Sequence, residues 1–211
     1  METPLVLAQW LQKGLLICGI LYAVITFATD IVAGILTRGY RFDLHTANTF
    51  GGIGTTTRPV VLPINIVAGF LLIAFATGVW FSVDGNWVLR CMACLLVVHA
   101  ILSMLAIAFF PFHPAESAAY PANKANLMFM APAVILFFLA IILGTIGYHD
   151  WLRWLSLGIL LLFFLGALLS ISIFQLIPGR RSAPSIGIQE RTMIYAEMLW
   201  LVLQALVFLN K

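Results

Sequence analysis

The chain has 211 residues, of which 63% are hydrophobic and 9% are charged, whereas soluble domains have about 45–50% and about 25%. Because so few charges cannot cover a water-soluble surface, the composition predicts an integral membrane protein, and one domain accounts for the length. The net charge of +3 is small and spread over many loops, so it gives no support to nucleic-acid binding.

The N-terminus and the cysteines carry no targeting or disulfide signal. Met1-Glu2-Thr3-Pro4 lacks a basic n-region, so no removable signal peptide is predicted. Cys18, Cys91 and Cys94 lie in or beside apolar segments, which argues against a disulfide framework. Cys91 and Cys94 form one CxxC pair with no second pair and no neighbouring strand. Small apolar packing residues are therefore favoured over a redox or zinc site.

Six apolar segments are long enough, or nearly so, to cross the bilayer, which takes about 20 helical residues. Their runs are continuous, without the alternation of a membrane β-barrel, so each is predicted to be a helix. The predicted fold is all-α, a single domain of six transmembrane helices at residues 15–36, 60–81, 88–110, 127–146, 155–174 and 193–209.

The connections between these segments differ in length. Two are tight turns, whereas the other three are long and polar and fall on one side of the membrane. The tight-turn side carries four basic residues, Lys13, Arg90, Arg153 and Lys211, and the long-loop side carries seven, Arg38, Arg41, Arg58, Lys124, Arg180, Arg181 and Arg191. The positive-inside rule then predicts cytoplasmic long loops and both termini outside.

Small residues recur within the segments. Gly69 and Gly78 lie in the second, and Gly158, Gly166 and Ser170 lie in the fifth. Such residues let neighbouring helices approach closely, so we expect ordinary bundle packing at these positions. The chain has no evident internal repeat, which gives no support to an inverted-repeat transporter.

The first long connection is rich in glycine, threonine and asparagine. Its run 51–57, Gly-Gly-Ile-Gly-Thr-Thr-Thr, lacks the Lys-Ser/Thr ending of a P-loop. One interpretation is an anion site, for instance for a lipid phosphate, made with Arg58 at a helix start that Pro59 would favour. The other is a tight turn that needs a flexible backbone.

Asp30 is the sharpest candidate within a segment. A carboxylate inside a membrane helix costs about 2.5–3.5 kcal/mol, so it usually faces a partner or a watery cavity. A structural ion pair with Arg38, Arg58 or Arg191 and a role in binding or proton handling are both consistent with this position.

Glu197 and His99 are two further ionisable candidates inside segments. Glu197 is expected near the start of the sixth segment, on the long-loop side. His99 is at the middle of the third, and it is interpreted as a hydrogen-bonded packing residue. His45, His113 and His149 are all expected at interfaces or in loops, so no second histidine is placed to bind haem. No cofactor or metal site is predicted.

The topology brings one set of polar residues to the long-loop side. A ligand-binding site there and a merely polar membrane face both explain this convergence. The candidate ligand-binding residues are Asp30, His45, Arg58, His113, Asn126, Glu190, Arg191 and Glu197.

Several motifs then occur in a fixed order along the chain: Thr29-Asp30-Ile31-Val32-Ala33, Gly39-Tyr40, the run 52–59, the run 109–113 (Phe-Phe-Pro-Phe-His), the run 187–191 (Gly-Ile-Gln-Glu-Arg) and Trp200. In this set the chain resembles a bacterial and archaeal membrane family known as domain of unknown function 998. The resemblance covers nearly the whole chain. It implies a six-helix protein of a prokaryotic inner membrane and lends no activity.

Two positions depart from that family's pattern. The family usually has Ser-Glu-Leu where this chain has Asn48-Thr49-Phe50, and often a histidine where Asn126 stands. Acid–base or metal chemistry through those groups would be missing here. A more distant likeness is to the six-helix Frag1/DRAM/Sfk1-type proteins, which share a small and polar first loop and of which some are linked to lipid handling.

Four hypotheses about function follow. The first is binding of a lipid or amphiphile on the long-loop side, with Asp30, Arg58, Glu190 and Arg191 as the polar core and His113 at the rim; membrane lipids are then the partners. The second is a small proton-coupled transporter that uses Asp30, His99 and Glu197. The third is an intramembrane enzyme with His45 or His113 as base. The fourth is a polar network that only holds the bundle together.

Overall fold

A computed structural model describes residues 4–114, 121–176 and 186–210. These ranges form six α-helices and a short 3-10 helix, Ala47–Gly51, and contain no strand. The all-α fold with six helices is therefore confirmed. The α-helices are α1 Pro4–Leu36, α2 Arg58–Ser82, α3 Trp87–Phe109, α4 Pro121–Gly147, α5 Trp151–Leu176 and α6 Ile186–Leu209.

The lengths and compositions of these helices fit a bilayer. Five of them, all except α5, contain at least 18 residues apolar enough to cross a membrane. In α5 the apolar stretch with described side chains is shorter, Trp151–Leu165. The chain is thus an integral membrane protein, with polar chemistry restricted to helix ends and to the interior of the bundle.

Three helices begin well before the predicted segments. α1 begins at Pro4 rather than at residue 15, α4 at Pro121 rather than at residue 127, and α6 at Ile186 rather than at residue 193. Hydropathy detects residues that suit hydrocarbon, whereas a helix also continues through polar residues at the membrane surface. The placement of Glu197 near the start of the sixth span is therefore wrong. This residue lies at the middle of α6.

The six helices form a closed ring in chain order. Each packs against its neighbours in the sequence, and α1 packs against α6 to close the ring. The two tight turns meet at one end, where the Asn86 side chain caps α3 at Leu89 N (3.2 Å) and donates to Gly147 O (3.0 Å). We call this end the short-turn face and the opposite end the long-loop face. Exposed tryptophans typical of a membrane interface surround the short-turn face: Trp10, Trp87, Trp151 and Trp154.

Large side chains fill the half of the ring nearer the short-turn face. Phe75, Phe137 and Trp200 are fully buried there, and Phe137 and Trp200 pack edge to face with centroids 5.6 Å apart. The Trp200 indole donates to Ser156 Oγ at 2.8 Å, so its polar atom is satisfied. This half of the interior is closed by packing.

The predicted role of small residues in helix packing is confirmed in α2. A Cβ at Gly78 would lie 3.0 Å from Leu15 Cβ and 3.1 Å from Leu16 N, because the α1 backbone approaches closely there. A Cβ at Gly69 would overlap Met104 of α3. At Gly158 of α5 the prediction is wrong, because a Cβ there would meet no atom within 4 Å. The surroundings of Gly166 and Ser170 lie outside what the structure describes.

Part of the predicted positive charge at the long-loop face belongs to the interior. Arg191 is buried within the bundle and therefore does not report orientation. Arg180 and Arg181 lie outside the described residues. The cytoplasmic assignment of the long loops stays a prediction.

Gly78→Val should lower the free energy of unfolding by about 1–3 kcal/mol, because the new side chain overpacks the α1–α2 contact. Gly158→Val is the matched control, since a Cβ at Gly158 meets no atom within 4 Å. Thermal unfolding of the purified protein in detergent measures both. Equal losses in the two variants would contradict the close approach at Gly78.

Candidate binding site beneath the first loop

A buried ion pair joins α1 to α6. Arg191 Nε donates to Asp30 Oδ2 at 2.8 Å and Arg191 Nη2 donates to Asp30 Oδ1 at 2.9 Å, so the pair is bidentate. Both side chains are 7% exposed. Of the three arginines considered as partners of Asp30, the structure selects Arg191. A paired carboxylate is the arrangement that makes an acid tolerable inside a membrane helix.

The same guanidinium also holds the first loop, residues 37–57. Arg191 Nη1 donates to Phe42 O and to His45 O, each at 2.9 Å, and Nη2 donates to the Tyr40 hydroxyl at 2.5 Å. The Phe42 ring packs under the guanidinium, with its centroid 4.8 Å from Cζ. All five N–H groups of the arginine thus have acceptors within the protein. Arg191 therefore has a structural role and has no donor left for a ligand.

Tyr40 organises the loop around this arginine. Burial raises the pKa of Tyr40, which therefore keeps its proton at neutral pH and donates to His45 O and Thr46 O, each at 3.0 Å. Its ring packs on Phe50 with centroids 4.4 Å apart. On the other side of the ion pair, the Tyr195 hydroxyl donates to Asp30 Oδ2 at 2.5 Å.

The start of α6 docks directly onto the loop. Gly187 N donates to Asp43 O at 3.1 Å, and a Cβ at Gly187 would lie 2.5 Å from His45 O, so only glycine allows this approach. One turn later, Glu190 Oε2 accepts from Ala47 N at 2.5 Å. The loop is therefore fixed by backbone and side-chain contacts to α6.

The glycine–threonine run forms a tight turn above α2. The hydroxyls of Thr55 and Thr57 both donate to Phe50 O at 3.0 Å, and Arg58 Nη1 donates to Gly51 O. Gly54 has φ +83°, a left-handed conformation that favours glycine. These donors bind the turn's own carbonyls, as the turn interpretation predicts.

Four of the predicted site residues support the surrounding loops. Asn126 Nδ2 donates to Phe110 O at 2.7 Å and so caps the end of α3. Asn123 bonds the backbone N–H and carbonyl of His113, and His45 Nδ1 accepts from Arg41 N at 3.0 Å. Arg58 bonds the backbone of the same region. The four residues therefore lie at the long-loop face, where they take part in the hydrogen bonds of the loops.

Beneath the loop, the long-loop half of the ring encloses a cavity of about 300 Å³. Three predicted site residues line it: Asp30, Glu190 and Glu197. Most of the other lining side chains are apolar, from all six helices and the 3-10 helix. The remaining lining residues that carry polar atoms in their side chains are Tyr22, Thr26, Thr29, Asn48, Asn65, His99 and Ser103, with the thioethers of Met104, Met130 and Met193.

A second group of ionisable residues lies deeper in the cavity. Glu197 Oε1 accepts from the Tyr22 hydroxyl at 3.1 Å and lies 3.7 Å from His99 Nε2. His99 Nδ1 lies 2.9 Å from Ala133 O, and because a carbonyl only accepts, Nδ1 carries a proton. Nε2 and the carboxylate then repel each other unless a further proton lies on one of them. The bond to Ala133 fits the packing role predicted for His99, and its pairing with Glu197 was not predicted.

Sequence reasoning missed several lining residues. Asn65, Ser103 and Tyr22 are single polar residues in apolar segments. For the last helix the sequence did contain a signal, the spacing of Glu190, Glu197 and Gln204. Residues seven apart are two turns apart and share one helix face, so this spacing indicates a polar face that is turned into the bundle. The buried Thr26 Oγ1 has no hydrogen-bond partner among the described residues. A buried polar atom of this kind can bind water or a ligand.

Arg191→Met should lower the free energy of unfolding by about 3–5 kcal/mol, because it leaves a buried carboxylate unpaired. Arg41→Met is the matched control. Arg41 pairs with Asp43 at 2.7 Å in the same loop, but that pair is exposed and should contribute much less to stability than the buried pair. Unfolding in detergent measures both, and the double variant Asp30→Asn/Arg191→Met should recover part of the loss. Similar losses at positions 41 and 191 would contradict the role given to the buried pair.

Comparison with known proteins identifies the family. The sequence profile of a family described as "Protein of unknown function (DUF998)" matches residues 18–207. A search of curated proteins and a search of solved structures each found no match. Because the matched region includes the ion pair, the first loop and nearly all of the six helices, the chain belongs to the DUF998 family.

Proposed function

We propose that this protein binds an amphiphile, with the ligand's polar head in the cavity beneath the first loop. The observation that carries the proposal is a cavity of about 300 Å³ inside a membrane-spanning ring, apolar over most of its wall and polar at a few points. Ligand sites are typically lined in this way, with apolar walls and a few polar groups that fix orientation.

The charges around the cavity favour a head that donates hydrogen bonds. The acidic residues in the lining are Asp30, Glu190 and Glu197. Arg191, the cation nearest to them, is fully engaged by Asp30, Tyr40 and loop carbonyls. An anionic head would meet carboxylates, and no arginine lines the cavity in the part of the chain that the structure describes. An amine or hydroxyl head fits better, since these groups donate to carboxylates.

The packing of the bundle supports binding over conduction. Towards the short-turn face, the cavity is closed by Phe75, Phe137 and Trp200, which are at most 1% exposed. Towards the long-loop face, it is covered by the first loop, which Arg191 and Glu190 fix in place. A compartment closed along the membrane normal suits a molecule that is held.

Long-chain amine, alcohol and carboxylic acid probes that carry a diazirine beside the head should distinguish these heads. In phosphatidylcholine vesicles, we expect saturable photolabelling of peptides that line the cavity by the amine and the alcohol. Glu197→Gln should weaken amine binding by about tenfold or more, because a hydrogen bond to a charged group is worth about 1.5–3 kcal/mol. Asp84→Asn, on the exposed short-turn face, is the control. Tighter binding of the acid than of the amine would contradict the proposed head chemistry.

Proton-coupled transport is a second candidate function, which the pairing of His99 with Glu197 favours. The two side chains face each other at 3.7 Å with one acceptor on each, so the pair is suited to take up or release a proton. Tyr22 adds a hydroxyl to the same carboxylate. Transport would require the packed half of the bundle to open.

Transport predicts that flux of the amine probe into liposomes depends on an imposed pH gradient. Glu197→Gln and His99→Gln should each remove that dependence, because either change leaves no second proton acceptor in the pair. The measurement is probe uptake with and without the gradient. Uptake that responds to the gradient equally in wild type and in both variants would remove the pair from the mechanism.

A further inference from the structure

A second cavity, of about 290 Å³, lies between α1 and α2 on the outside of the ring. Its lining includes Ala28, Val32, Leu36, Val60 and Ile64. Val32, Leu36 and Val60 are 53%, 68% and 62% exposed, and in a membrane-spanning helix pair such residues face lipid. We call this cavity the lateral groove. Thr56 and Thr57 of the first loop also line it, so the lateral groove lies at the long-loop end of the two helices.

The lateral groove and the central cavity share a wall. Thr29 and Val61 line both of them. The Thr29 hydroxyl donates to Ile25 O at 2.7 Å within its own helix, so the wall has no unsatisfied donor at that residue. Thr29 is also next in sequence to Asp30, at the polar side of the central cavity. The groove thus lies beside the proposed head site, separated from it by two side chains.

The size of the central cavity limits what fits inside it. Its volume of about 300 Å³ is at the lower end of the range of about 300–1,000 Å³ that small-molecule sites span. A polar head and the first few methylenes fill this space. The rest of any long-chain ligand has to leave the cavity, and the packed core blocks the direction of the short-turn face.

We propose that the Thr29 and Val61 side chains move apart when a ligand binds, and that the ligand's hydrocarbon chain then passes between α1 and α2 into the lateral groove. The ligand is then a membrane lipid or other long-chain amphiphile that enters from the bilayer. Its head lies in the central cavity and its chain in the lateral groove. This inference rests on the proposed function, since it specifies the ligand of the same site.

Filling the groove tests the proposal. Ala28 lines the groove from an exposed position on α1, so Ala28→Trp fills it without disturbing the core. Ile35→Trp is the matched control, because Ile35 is 74% exposed on the same helix and does not line the groove. Val32→Trp is a second filling variant. The probes are a long-chain primary amine with a diazirine at the chain end and a short-chain amine that fits the central cavity alone.

In phosphatidylcholine vesicles, we expect the chain-end diazirine to label residues 28–36 and 56–64 in wild type and in Ile35→Trp. Ala28→Trp and Val32→Trp should weaken long-chain binding by about tenfold, as expected when about two methylenes are excluded from an apolar site. Short-chain binding should be unchanged in all variants, which also shows that they are folded.

The outcomes separate the two proposals. Equal long-chain affinity in Ala28→Trp and Ile35→Trp, or chain-end labelling elsewhere on the bundle, overturns the lateral groove and leaves the head site standing. Absence of saturable binding of either amine to wild type overturns the head site and, with it, the groove.

Discussion

The structure depends on one constraint, a carboxylate that lies within a membrane helix and needs a partner at the same depth. Asp30 finds that partner in Arg191, 161 residues later in the chain. A guanidinium has more donors than one carboxylate can accept, and the remaining ones reach loop carbonyls and Tyr40. The Arg191 side chain thereby joins α1 to α6 and holds the first loop over the cavity.

Much of the fold could be predicted because the bilayer restricts the possibilities. Long apolar runs without alternation must be helices, and loop length set which helix ends share a face. The starts of α4 and α6 could not be predicted from hydropathy, because polar residues such as Asn123 and Arg191 continue a helix beyond its apolar part. Because of that error, Glu197 was predicted near the membrane surface rather than at the depth of His99, and the pairing of these two residues was not predicted.

Most of the charged residues of the candidate site could be predicted from the sequence, whereas the role of each residue could not. Asp30 was recognisable because charge inside a membrane segment is costly. Arg191 was placed before the sixth segment and was one of three arginines considered as the partner of Asp30. Arg58 and His113 were grouped with them by topology, yet the Arg58 side chain donates to Gly51 O, and the His113 backbone N–H donates to the Asn123 side chain. Which donors remain for a ligand depends on side-chain geometry, and sequence spacing carries no such information. Asn65 and Ser103 escaped notice because a single polar residue barely changes an apolar segment.

The long separation of Asp30 from Arg191 has a consequence for biogenesis. At a synthesis rate of roughly 5–20 residues per second, the partner is made roughly 8–30 s after the acid. Throughout that interval α1 is present without the arginine that neutralises it, and the first loop lacks its anchor on α6. The last helix therefore completes both the pairing of Asp30 and the helix ring. A nascent chain that ends before α6 keeps an unpaired acid inside a membrane helix, which is a feature that membrane quality control can recognise.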